Sequence, residues 1–137
     1  MKTISILAAI AAGTLFLSCN NDDDATPVES ISGTWKIQNV SGGLQGVDID
    51  YQEGDVDWTF DTDSQTVRVE NRILTTGPED IYAGPETGSY PYEVEQLGQT
   101  QILYLDDEVM GGIILSGNTL TVDSGSDADG LVTIFVR

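Results

Sequence analysis

The sequence predicts an all-β fold: an eight-stranded antiparallel barrel with up-and-down connections, with a β-sandwich as the alternative. Three observations predict it. Apolar and polar residues alternate over short runs, turn-forming Gly, Asp and Asn recur every ~8–12 residues, and no stretch of useful length carries a 3.6-residue apolar period. Residues 30–137 form one domain of ordinary size, large enough to bury a core without disulfides.

The strands follow in order. The first, GTWKIQNV (33–40), sets Trp35 and Ile37 on one face. The second, VDWTFD (56–61), opposes Val56, Trp58 and Phe60 to Asp57, Thr59 and Asp61. The third, TVRVEN (66–71), turns Val67 and Val69 inward. The fourth, SYPYEVE (89–95), turns Tyr90, Tyr92 and Val94 inward; Pro91 cannot donate to a ladder, so this part is an edge or a bulge. The fifth, QILYLD (101–106), and the sixth, VMGGIIL (109–115), are apolar on both faces, and Gly111-Gly112 mark a bend. The seventh is NTLTVD (118–123), with Leu120 and Val122 inward, and the eighth is LVTIFVR (131–137).

Up-and-down order makes the connections alternate between the two ends. The odd ones, 41–55, 72–88, 106–108 and 123–130, include every long loop, whereas 61–65, 97–100 and 116–118 are short. One end is therefore open and loop-rich, the other closed. Most acids fall at the open end, among them Asp48, Asp50, Asp55, Glu79, Asp80 and Asp129.

Composition excludes whole classes of function. Counted from Cys19, Lys36, Arg68, Arg72 and Arg137 face 23 acids, a net charge of 4 − 23 = −19. No basic stripe exists for nucleic acid. There is no histidine, which removes the commonest neutral-pH base and transition-metal ligand. Cys19 is the sole cysteine. No nucleophile motif surrounds the remaining groups, so the chain is expected to be no enzyme and to carry no catalytic residues.

The N-terminus reads as a targeting segment. Lys2 precedes an uncharged apolar run over residues 4–17, short of the ~20 residues that span a bilayer. LFLSC resembles the lipobox of bacterial lipoproteins, with Phe16 where the usual leucine stands. The resemblance implies a signal peptide over 1–18, lipid attachment at Cys19 and an acidic tether over 19–29. NNDDD is similar to the export signal of surface lipoproteins of the Bacteroidota, which implies an outer-membrane anchor and display at the cell surface, with the inner leaflet of the outer membrane as the alternative.

The opening ISGTWKI, with GNTLTV and the closing LVTIFVR, resembles the lipocalin superfamily and the small lipocalin-like domains of bacterial lipoproteins. The resemblance spans residues 30–137. It implies that Trp35 plugs the closed end and that Arg137 lies across it, a contact worth about 0.5–2 kcal/mol. The family's Thr-Asp-Tyr motif and flanking helix have no counterpart. Arg137 shares the parity of Phe135, so if Val132, Ile134 and Val136 face inward, Arg137 must curl back to reach Trp35.

These features converge on a lipid-anchored monomeric binding module. One candidate site is the barrel interior, where Trp58, Phe60, Tyr90, Tyr92 and Tyr104 either line a cavity for a small apolar or amphipathic ligand or fill the core. Another is a calcium ion at the open end, held by Asp48, Asp50, Asp55, Asp123, Asp127 and Asp129; hard cations take six to eight oxygens. DSGSDADG resembles an EF-hand loop but fails its register. No other cofactor is expected. The alternative function is an accessory scaffold whose loops dock a surface protein.

Overall fold

The computed structural model describes residues 29–137; Cys19 and the leader lie outside them. The domain is a closed, eight-stranded, up-and-down antiparallel barrel of lipocalin-like form. Its staves are β1 (Gly33–Gly42), β3 (Val56–Asp61), β4 (Thr66–Asn71), β5 (Gly88–Leu97), β6 (Thr100–Leu105), β7 (Glu108–Ser116), β8 (Thr119–Asp123) and β9 (Leu131–Val136). Each pairs with the next, and β9 pairs back onto β1 from Lys36 to Gly42, which closes the ring.

A ninth strand, β2 (Val47–Asp50), lies in the first long connection. It pairs with the upper half of β1, from Asn39 to Gly42, while the lower half, Gly33 to Lys36, pairs with β3. A single turn of helix, α1 (Pro78–Ile81), occupies the second long connection. Pro at its first position and Glu79 and Asp80 in its first turn suit a helix start, where the N–H of position one is orphaned and the dipole favours acids.

β5 shows how a barrel accommodates proline. From Gly88 to Pro91 the strand pairs with β4, and from Tyr92 to Leu97 it pairs with β6. Pro91 stands at the change of partner, needs no N–H toward β6, and uses its carbonyl to accept from Asp106 N at 2.8 Å. The stagger of the sheet thus falls on the residue least able to serve two neighbours.

Two bulges reset the side-chain alternation. In β1 the register shifts between Ile37 and Asn39, so that Val40 rather than Asn39 follows Ile37 into the core. In β7 the pairing jumps from Leu103–Gly111 to Tyr104–Val109, leaving Met110 as the extra residue. Val109 is consequently exposed and Met110 packs against the core.

The core is one apolar cluster inside the barrel, with no polar or charged residue buried among the described residues. Phe60 meets Tyr92 edge-on at 5.0 Å, and Trp58 lies 5.0 Å from Phe135 and 6.1 Å from Phe60. The Phe60–Tyr92 edge contact is a favoured aromatic geometry, and the two Trp58 pairs are tilted toward it. Outside, Asp57 of β3 stands directly opposite Glu70 of β4, a repulsive cross-strand pair. Arg72 offsets it by donating to Asp57 at 2.8 Å and to Glu70, with Arg68 also on Glu70.

Candidate functional site

The two ends of the barrel differ physically. At the closed end the turns Asp61–Thr66, Leu97–Thr100 and Ser116–Thr119 are tight. Trp35 is fully buried there, and its indole N–H donates to the Ile31 carbonyl at 2.7 Å. In β9, Phe135 faces the core while Val132, Ile134 and Val136 sit only half-buried on the other face. Arg137 follows the parity of Phe135, and its Cζ lies 4.3 Å from the centre of the Trp35 ring without any curling back. The same guanidinium donates to the carbonyls of Ser30, Ser32 and Gly117 at 3.1–3.3 Å.

At the open end the long loops meet. Gly43 N donates to Gly130 O, joining the first and last loops. The interior is filled up to Trp58 and Phe135, and above them lies a cavity of about 190 Å³. Ile37, Met110, Val122, Leu131 and Thr133 complete its wall. The segment Ile81 to Gly84, which starts at the last residue of α1, forms the roof. Within it Ala83 is fully buried, and Gly84 rides on the indole, where an added Cβ would stand 3.3 Å from Trp58 Cζ2.

The roof is latched from the side. Tyr51, just after β2, donates its hydroxyl to the Glu79 carbonyl at 2.9 Å. Burial, and then the nearby carboxylates of Glu79, Asp55 and Asp80, push the Tyr51 phenol up to about 12 from an ordinary 10.0. A phenol whose pKa is raised by folding stabilises the fold fully below the unfolded value, and that contribution disappears as pH rises through the folded value. The window here is pH 10 to about 12. Tyr51→Phe is expected to show a flatter stability profile than wild type across this window, read by urea melts at fixed pH. Parallel profiles would mean that the latch does not titrate with folding.

Of the aromatic residues expected to line a ligand space, Trp58 alone borders the cavity, as its floor. Phe60 and Tyr92 are buried beneath it as core. Tyr90 is half-buried and donates its hydroxyl to Glu86 O at 2.8 Å. Tyr104 does not line the interior. Leu103 and Leu105 point in, so the two-residue period sends Tyr104 to the outer face opposite Glu93. Met110 and the roof had no clear sequence signal, although Pro78-Glu79-Asp80 marks the helix start that precedes the roof.

The calcium arrangement is not assembled. Among the described residues no three acidic side chains converge into a group that could hold a metal ion. Asp48 and Asp50 both accept from Asn39 Nδ2 on the outside of the β1–β2 pair, at 3.0 and 2.9 Å. Asp55 accepts from Gln52 N within its own turn. Asp123 accepts from Gly125 N, Ser126 N and Ser126 Oγ, which holds its carboxyl below the ordinary range and spends its lone pairs on the loop that carries Asp127 and Asp129. The oxygens are shared among three places instead of meeting at one.

Comparison of the chain with protein families, with curated proteins and with solved structures finds no match.

Proposed function

We infer that the protein is a lipid-anchored bacterial envelope protein that acts, without catalysis, as a binding module for a small apolar or amphipathic molecule. The single observation carrying this reading is the roofed apolar cavity at one end of a barrel whose other end is sealed. Ligand sites in small barrels lie in their mouths, and apolar walls with a few polar groups are their usual lining. Anchorage at Cys19 fits the placement of the ends. Residues 30 and 32 meet Arg137 at the closed end, and Glu29 accepts from Gly117 N there at 2.8 Å. A tether emerging at that end leaves the mouth and its acids facing away from the anionic membrane.

Binding is tested on the full chain with ethylbenzene as probe, followed through the methyl resonance of Met110, which lines the cavity. Saturable shifts are expected, and Val122→Phe, which fills the space, should weaken binding by roughly tenfold or more while the fold persists. No saturable shift in the wild type would remove the ligand-binding reading. Palmitate labelling that survives Cys19→Ser would remove the anchor.

A second reading, docking of a surface protein by the loops, is favoured by Leu44 and Ile81, which are 89% and 72% exposed at the open end. Mild crosslinking in cells, compared between wild type and Leu44→Ser/Ile81→Ser, separates it from ligand carriage.

A further inference from the structure

The cavity specifies more than apolarity. Taking ligand binding in the barrel mouth as its basis, we propose that the ligand is a neutral molecule of about single-ring size carrying one hydrogen-bond acceptor, and that Trp58 Nε1–H is the donor that reads this acceptor.

Size comes first. A cavity of about 190 Å³ is below the ~300–1,000 Å³ of sites for drug-sized ligands and close to the ~150 Å³ that accommodates benzene. An extended acyl chain does not fit. Charge comes second. No Asp, Glu, Lys or Arg side chain is buried among the described residues, so a charged ligand group inside would have no counter-ion and would lose its hydration. Around the cavity, Glu79 and Asp80 stand in the helix that leads into the roof and Asp129 shares a surface recess with Tyr82 and Leu131, so the field at this end repels carboxylates.

The acceptor follows from hydrogen-bond accounting. Trp58 is 2% exposed, and its Nε1–H has no partner. A buried donor without a partner is costly, and native structures leave few of them. The Trp35 indole shows the contrast: it is equally buried and donates to Ile31 O. On Trp58, the ring edge bearing Nε1 also carries Cζ2, the atom packed under Gly84 of the roof. The free donor therefore lies on the side of the ring that the roof covers. Ser124, which also borders the cavity, is already committed in both directions to Leu131, donating to its carbonyl at 3.0 Å and accepting from its N–H at 2.9 Å. It cannot take over the task without releasing the loop.

The test uses the full chain and three ring-sized probes: acetophenone, which is neutral with a carbonyl acceptor; ethylbenzene, its near-isostere without one; and benzoate, which is anionic. Acetophenone is expected to bind roughly 5–10-fold more tightly than ethylbenzene, the worth of one buried hydrogen bond, and benzoate not measurably. The Trp58 indole N–H resonance, assigned by its contacts to Gly84, should move downfield with acetophenone alone, while that of Trp35 stays put. Trp58→Phe reshapes the floor for both neutral probes, so the ratio is the readout: the preference for acetophenone over ethylbenzene should fall to about one. The resonance measurement needs no variant, so it decides the matter even where Trp58→Phe folds poorly. Equal binding of acetophenone and ethylbenzene with an unmoved Trp58 resonance overturns the donor role and leaves the apolar cavity standing. Binding of benzoate alongside acetophenone overturns neutrality. Binding of none of the three overturns this proposal together with the ligand-binding role on which it rests.

Discussion

Gly111→Ala is expected to destabilise the barrel by about 2–4 kcal/mol, overpacking against backbone plus the penalty for its backbone conformation, which corresponds to a fall in melting temperature of roughly 10–20 °C. Gly111 has φ +139°, a conformation L-residues rarely adopt, and an added Cβ would stand 2.2 Å from the Asp123 carbonyl oxygen and 2.9 Å from Ser124 Cα. Both obstacles are backbone, so no side chain can swing away; β8 itself must retreat from β7. Gly117→Ala is the matched control. Its φ is +58° and nothing lies within 4 Å, so only the left-handed backbone penalty applies, about 1 kcal/mol. Similar melting temperatures for the two variants would show that the β7 bulge yields easily. The effect should also reach the cavity. The bulge that needs Gly111 turns Met110 toward the interior, so any Gly111→Ala protein that folds is expected to show a displaced Met110 methyl resonance before ligand is added.

That bulge also marks where sequence reasoning stops. The staves are legible as short apolar or alternating runs between turn signals, and most securely where alternation is strict, as in VDWTFD, because a two-residue period has one reading when one face is buried. The asymmetry of the ends was legible from connection lengths alone. Parity beyond a bulge was not, because one unpaired residue inverts every later side chain. Met110 and Val40 point inward only because the extra residue precedes or occupies their place. Tyr104 is the opposite case: alternation with Leu103 and Leu105 already sends it outward, whatever its aromatic character. β2 carries no strand signal of its own: VDID is four residues long with two aspartates, and its pairing depends on the upper half of β1 being free of β3. The roof was illegible for a related reason. Ala83 is buried by packing over Trp58 and not by any periodic pattern of its own. Aspartate density, finally, says nothing of convergence: of the six expected calcium ligands, Asp48 and Asp50 are taken by Asn39, and Asp55 and Asp123 by groups of their own turns.

At the sealed end, Trp35→Ala is expected to cost about 3–5 kcal/mol, as for removal of a large buried aromatic. Trp35 is fully buried and its N–H holds the Ile31 carbonyl, so truncation leaves both a cavity and an unpaired acceptor. Arg137→Ala should cost about 2 kcal/mol, since it removes the contact over the indole and charge-assisted bonds to Ser30, Ser32 and Gly117. Because the guanidinium rests on the ring, the double variant should be less destabilised than the sum by about 1 kcal/mol, the ordinary coupling of residues in contact. Arg137→Lys distinguishes the parts of the interaction. An ammonium can stay near the ring, but it lacks the planar fork that reaches carbonyls on two separate segments. It should therefore retain the coupling to Trp35 while amide exchange at Gly117 and Ser32 accelerates. Strict additivity of the Trp35 and Arg137 variants would place the arginine off the indole. It would then leave the hydrogen bonds to Ser30 and Ser32 as the sole means by which the last residue ties the incoming chain to the bottom of the barrel.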